Sequence, residues 1–313
     1  MATGSGKGKT ILFGEHFVVY GLPALAAGIA SETTATVTPL SPAGWKLVDN
    51  RPAVPGYKEE KYEEQRASIE NILKHLKIDI TKTGFQIELA GDLVCASGIG
   101  ASAASCVAIA RALNDEYSLG LDVYQINEAA YIGEMGYHGT PSGLDNTAST
   151  FGGLIWFVRD LKGGAPKFET LKLEKSANLV IASTGLTAST KIVVGDVKKK
   201  KEADPDWFES ISKEYNKLVS DARDALIGLR FDEVGALMNK NHRLLQQLTV
   251  SCKELDNLVN VARENGAIGA KMTGTGRGGN MIALAPDKAT MRKIADALEK
   301  SGAAGVWTTS FGL

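Results

Sequence analysis

Apolar positions along the chain recur with two periods. Ile69, Ile72, Leu73 and Leu76 fall at i, i+3, i+4 and i+7, which predicts a helix over 62–76. The alanine-rich run 102–115 is apolar around most of its circumference: Val107, Ala110, Arg111 and Asn114 share one side, Ile109, Ala112 and Leu113 another. That pattern predicts a buried helix. Asp122 followed by Gln125 predicts an N-cap and capping box for a helix running to about Met135. Further helices are predicted around Ile211, Tyr215, Leu218, Val219 and Ala222, around Val234, Leu237, Met238 and Leu245, after a capping box Ser251–Glu254 and ending at Gly266, and near 290–300. Short β-prone runs predict strands at 9–13, 17–20, 33–38, 85–89, 153–158, 178–182, 281–284 and 306–309. Segment 40–60 reads as a loop around 45–48, and 136–146, with Gly136, Gly139, Pro141 and Gly143, as a second loop. The lysines 198–201, running on to Pro205, read as a solvated, mobile linker. Segment 159–177, with Gly163, Gly164 and Pro166, is the predicted boundary of an α+β chain with domains 1–165 and 166–313.

Composition changes this picture little. Of 313 residues, 44% are hydrophobic and 23% charged, as in an ordinary globular protein with a sizeable core. The net charge of −1 gives no global basic field for nucleic acid or an anionic membrane. Three cysteines, odd in number and in apolar settings, argue for a reducing compartment, expected to be the cytoplasm with an organelle as the alternative, and against a disulfide scaffold or zinc site. The four histidines show no metal spacing, no apolar stretch reaches transmembrane length, and the first residues lack the apolar core of a secretory signal.

Candidate chemistry lies in four glycine-punctuated blocks. Gly98, Ile99, Gly100, Ala101 and Ser102 run straight into the predicted helix. Small residues would let a polyphosphate reach unpaired first-turn N–H groups, and Ser102 adds a hydroxyl; a plain turn before a core helix fits as well. Glu134 near a helix end and Asp145 in a Gly/Pro/Ser turn could serve a metal ion and an attacking hydroxyl, or be a surface acid and a turn former. Glu15 and His16, with Lys9 on the strand before them, fit polar recognition of a small molecule or a hydrogen-bonded core pair. Two phosphate-loop imitations fail on context. Thr3 stands where the P-loop needs its first glycine, and β-prone sequence follows Thr10. Gly274, Gly276 and Gly279 match a dinucleotide fingerprint, yet a strand follows where a helix is required. A wide hairpin loop, or a turn approaching a ligand, remains.

Taken together, these blocks resemble the GHMP small-molecule kinases. The carriers are Gly-Lys-Thr-Ile-Leu-Phe-Gly-Glu-His-Phe-Val-Val-Tyr-Gly at 8–21, Gly-Ile-Gly-Ala-Ser-Ala-Ala at 98–104, Lys-Met-Thr-Gly-Thr-Gly-Arg-Gly-Gly at 271–279, and Pro-Ser-Gly-Leu-Asp-Asn at 141–146. Gly-Glu-His followed by Val-Val-Tyr-Gly is similar to the members that phosphorylate mevalonate; galactokinases would show Thr-Asp-Tyr at that point. The resemblance implies a ribosomal-S5-like N-terminal domain, a ferredoxin-like, helix-rich C-terminal domain, and transfer of phosphate from ATP with Mg²⁺ to a primary hydroxyl in isoprenoid precursor synthesis. Another acceptor, phosphomevalonate or a sugar, is the alternative. It further implies that Gly98, Ile99, Gly100, Ala101 and Ser102 wrap the ATP phosphates. Ser102 and Glu134 would hold Mg²⁺, Asp145 would take or orient the hydroxyl proton, and Lys9 would lie beside Asp145. Glu15, His16, Thr190 and Thr275 would line the acceptor pocket. The implied partners are small molecules, with no nucleic acid or membrane, and a homodimer is compatible. The chain departs from the family pattern at Lys7, at Ala101 in place of a serine, at 92–97 where a proline is usual, and at Arg277 and Asn280. A non-catalytic binder of a small ligand or RNA would have no need of Lys9, Ser102, Glu134 and Asp145 together.

Overall fold

The computed structural model describes residues 1–96 and 98–312; Ser97 and Leu313 lie outside the described residues. The chain divides into two compact units, 1–9 with 28–152, and 10–27 with 153–313. Strands β1 (Ala2–Phe13) and β2 (Ala24–Pro39) each contribute to both.

The first unit adds β3 (Gly44–Asp49), α1 (Tyr57–Glu60), α2 (Tyr62–His75), β4 (Gly84–Gly91), α3 (Ala101–Glu116), α4 (Val123–His138) and α5 (Leu144–Phe151). β3 pairs parallel with β4, and β4 pairs antiparallel with residues 33–39 of β2. Ile69, Ile72 and Leu73 of α2, Val37, Ile87 and Val107 meet in one core, as the helical and alternating patterns require. α3 is buried through Leu113. It can lie against β1 because that strand carries glycines: a Cβ on Gly6 would stand 2.2 Å from the Ala104 carbonyl oxygen. Asp122 caps α4 with the full capping box.

The second unit adds β5 (Leu154–Val158), β6 (Lys167–Leu171), β7 (Ala177–Ser183), α6 (Thr190–Ala203), α7 (Pro205–Ile227), α8 (Phe231–Gln247), α9 (Lys253–Glu264), β8 (Gly269–Thr273), β9 (Asn280–Ala285), α10 (Lys288–Lys300) and β10 (Gly305–Phe311). An antiparallel sheet runs β10-β7-β9-β8. α8 and α9 pack on β8, and α10 on β7 and β10. β5 pairs with residues 24–27 of β2 and with β6.

Four local expectations are corrected. Residues 44–49, read above as part of a loop, form a strand. Residues 17–20 form no strand: Gly14 and Gly21, both at positive φ, fold the segment into a 3-10 turn at Val18–Tyr20. The lysine run is not a linker but the last turns of α6. There Lys200 lies 4.6 Å over the Trp207 ring and Lys201 4.6 Å over Tyr20, so cation–π contacts hold what like-charge repulsion would loosen. Ser251 opens no capping box; Cys252 is the N-cap, and the Ser251 hydroxyl bonds Asp256 at 2.5 Å instead.

Candidate active site

α3 begins at a bare mouth. Gly98 and Gly100 take positive φ, +85° and +75°, and Gly100 is an N-cap with no side-chain bond to the first-turn amides. The first intrahelical amide bond is Ala104 N–H to the Gly100 carbonyl, at 2.9 Å. The N–H groups of 101–103 therefore have no partner within the helix and aim its positive end outward, an arrangement suited to phosphate. Lys9 is fastened alongside. Its N–H donates to the Ile99 carbonyl at 2.9 Å, and a Cβ on Gly100 would stand 2.6 Å from Lys9 Cγ. Gly100→Ala combines that clash with a strained φ. It is expected to displace Lys9, and a shift of about an ångström costs up to ~100-fold in rate. Steady-state kcat/KM for ATP, measured beside thermal unfolding, checks this; a folded variant of unchanged kcat/KM would contradict it.

Two arginines set the mouth. Arg51, buried and bidentate on Asp49, donates to the Ala101 carbonyl at 3.2 Å. Arg111 of α3 donates to Ser5 O at 2.6 Å and to Thr150 O at 2.7 Å, tying α3 both to β1 and to the C-terminal end of α5. α5 carries Asp145, in its first turn after the positive-φ N-cap Gly143 rather than in an open turn as the sequence suggested. A carboxylate is favoured there by the helix dipole. Asn146 and Asn127 join α5 to α4 at 2.7 Å, and α4 runs on to His138, placing Glu134 one turn inside its end.

These constraints gather four side chains. Lys9 Nζ, almost fully buried, lies 3.0 Å from Asp145 Oδ1, while Asp145 stays 31% exposed, open to a reactant. Glu134 is wholly buried with the Ser102 hydroxyl beside it and Cys106 Sγ at 3.9 Å; its Oε2 has no hydrogen-bond partner, the His138 ring nitrogen Nε2 standing off at 3.8 Å. Burial first, then the like charge of Asp145, pushes its carboxyl up to about 8. A buried acid with one oxygen not hydrogen-bonded, facing a second carboxylate and a hydroxyl, is the hard-oxygen donor set that Mg²⁺ takes, few in protein ligands and otherwise hydrated. The residues present thus fit the metal.

A second cluster belongs to the second unit. His16 Nε2 lies 2.7 Å from the Thr275 carbonyl oxygen, and the Thr275 and Thr190 hydroxyls are 2.7 Å apart. His16 Nδ1 is buried without a partner, and burial lowers the ring's pKa, so the neutral form with its proton on Nε2 is favoured. Phe17 stacks on Tyr215 at 3.8 Å, and the Tyr215 hydroxyl donates to the Pro23 carbonyl at 2.7 Å. Glu15 pairs with Lys271, both side chains at 0% exposure. Removing one partner of such a pair costs about 3–5 kcal/mol. Residues 274–279 form the loop of the β8–β9 hairpin, the plainer of the two readings of that glycine run.

Sequence reasoning named Lys9, Ser102, Glu134 and Asp145, which lie together, and Glu15, His16, Thr190 and Thr275, which share the second cluster. It gave no role to Arg51, Arg111 or Lys271. For Lys271 a signal existed: a lone charge in the apolar strand Gly-Ala-Lys-Met-Thr. Arg51 had none, sitting among polar loop residues.

The chain as a whole is similar to known proteins. Residues 66–153 match the family model for the GHMP kinases N terminal domain, and 222–304 that for GHMP kinases C terminal. Mevalonate kinase of Pyrococcus abyssi is 33% identical over 95% of this chain and 92% of that one; that of Pyrococcus horikoshii is 34% identical with the same coverage. The crystal structure of L. major mevalonate kinase in complex with R-mevalonate matches with a TM-score of 0.95 and 42% identity, over 100% of this chain and 96% of that one. Lactococcus lactis galactokinase, at 21% identity and a TM-score of 0.75, shares the fold. With both family models matched in order, and relatives of one activity covering almost its full length, the chain belongs to the mevalonate kinases of the GHMP kinase family.

Proposed function

We propose that this chain transfers the γ-phosphoryl group of ATP to the primary hydroxyl of (R)-mevalonate, a step of isoprenoid precursor synthesis. The observation that carries the reading is the Lys9–Asp145 pair, 3.0 Å apart and fastened to the bare N-terminus of α3.

The amides of 101–103 and the backbone from Gly98 to Ser102 receive the phosphates, the helix dipole favouring their charge. Ala101 lacks the usual hydroxyl but keeps its N–H. Ser102 and Glu134 would hold Mg²⁺, which neutralises charge on the transferring phosphates. Asp145 accepts the proton of the acceptor hydroxyl as the new O–P bond forms and the bond from the γ-phosphorus to the ADP oxygen breaks. Lys9, held by its backbone bond to Ile99, sets the orientation of the Asp145 carboxylate and places positive charge where the oxygen becomes anionic. His16, Thr190 and Thr275 recognise the acceptor, His16 offering Nδ1 to one of its hydroxyls. Among the described residues no helix is long and apolar enough to cross a membrane.

ADP release on adding (R)-mevalonate, against a no-acceptor control and a panel with phosphomevalonate and galactose, tests the reading. Release is expected with mevalonate; preference for another acceptor would replace it.

A further inference from the structure

We propose that Lys271 is a positioning residue for acceptor recognition: by gripping Glu15 it sets His16, so that Glu15 acts through its neighbour instead of touching the acceptor. This rests on the functional reading above and changes the part Glu15 was expected to play.

Both oxygens of Glu15 are already engaged. Oε1 accepts from Lys271 Nζ and Oε2 from the Gly14 N–H at 3.1 Å. Lys271 Nζ also donates to the Met272 carbonyl at 2.8 Å. With both side chains at 0% exposure, neither head presents a surface to a soluble molecule. His16 does have a free valence. A carbonyl only accepts, so its bond to Thr275 O places the ring proton on Nε2 and leaves Nδ1 as an acceptor without a partner.

The position of that ring follows from how segment 11–17 is held. Three links join it to segment 271–275: the Thr273 hydroxyl to Ile11 O at 3.0 Å, Lys271 to Glu15, and His16 to Thr275 O at 2.7 Å. The middle link alone of these three is ionic. It lies next to His16 on one strand of chain and four residues before Thr275 on the other. Gly14 makes the segment unforgiving: its φ is +129°, and a Cβ there would stand 2.4 Å from that of Ala24. Phe17, stacked on Tyr215, fixes the far side. Between these stops the Lys271–Glu15 bridge sets the distance between the segments that carry His16 and Thr275, and Thr275 in turn meets Thr190.

The test uses Glu15→Gln, Lys271→Met and the double variant, which replaces the ion pair by neutral groups of similar size and carries the test if a single variant, left with one buried charge, fails to fold. Each folded variant is expected to raise KM for mevalonate by ~10- to 100-fold, with KM for ATP changed by less than about twofold. The double variant is expected to be no worse than the weaker single, because the residues act as one unit. In acceptor-free protein labelled with ¹⁵N-histidine, the His16 signals, assigned against His16→Asn, are expected to move away from the single Nε2–H tautomer of the unaltered chain. Two results would overturn the proposal. One is a folded Lys271 or double variant with unchanged KM for mevalonate and unchanged His16 signals; the other is a Glu15→Gln loss that adds in full to that of Lys271→Met, which would mean direct contact with the acceptor. If the unaltered chain released no ADP with mevalonate, the functional reading would fail, and the histidine spectra would still decide whether Lys271 sets His16.

Discussion

Asp145→Asn is expected to lower kcat by about 10²- to 10⁴-fold, the range for loss of a general base, with KM for ATP almost unmoved. The substitution keeps the shape of the side chain and its place in the first turn of α5, so the mouth of α3 is undisturbed. What it removes is the proton acceptor and half of the 3.0 Å pair with Lys9. In a loose phosphoryl-transfer transition state little bond formation precedes the crest, so positioning and charge neutralisation carry most of the rate and the base acts late. The loss is therefore expected in kcat and kcat/KM together, as for an interaction made mainly in the transition state. Steady-state kinetics at saturating Mg²⁺ measures it, and activity within about twofold of the parent would remove Asp145 from the role.

Glu134→Gln is expected to act through the metal. Loss of even an outer-shell partner typically costs ~10- to 100-fold in metal affinity, and a direct ligand should cost at least as much. The Mg²⁺ concentration for half-maximal activity should rise accordingly, with KM for mevalonate unchanged. The amide also removes the buried carboxyl that burial and Asp145 hold up near 8, so the metal-free variant should be no less stable than its parent. Mg²⁺ titration of activity, beside thermal unfolding without metal, separates the two effects. An unchanged titration would take Glu134 out of the metal site.

Long periodic helices were legible in the sequence because their burial is one-sided or complete over several turns. α2 and α3 match the predicted spans to within a residue or two, and the start of α4 was marked by its capping box. α5 was not legible: eight residues between Gly143 and Gly152 hold too few apolar positions to set a period, and the breakers before it read as loop. The 3-10 turn at Val18–Tyr20 and the strand β3 depend on positive-φ glycines and on pairing with β4, neither visible locally. The lysine run shows the same limit, since the aromatic face of Tyr20 that accepts Lys201 arrives from far back in the chain, and that of Trp207 reaches Lys200 only because α6 and α7 turn on one another. The chemistry-bearing residues were legible as types in glycine-rich blocks. That Lys9 meets Asp145 across 136 positions was an implication of family resemblance rather than of pattern, and the arginines that fix the α3 mouth left no trace in spacing.

A crystal structure with a non-hydrolysable ATP analogue, Mg²⁺ and (R)-mevalonate tests the central assignment. Asp145 is expected within about 2.6–3.2 Å of the primary hydroxyl oxygen, with the phosphates on the amides that open α3. A hydroxyl held instead by another side chain, with Asp145 turned to solvent, would contradict it.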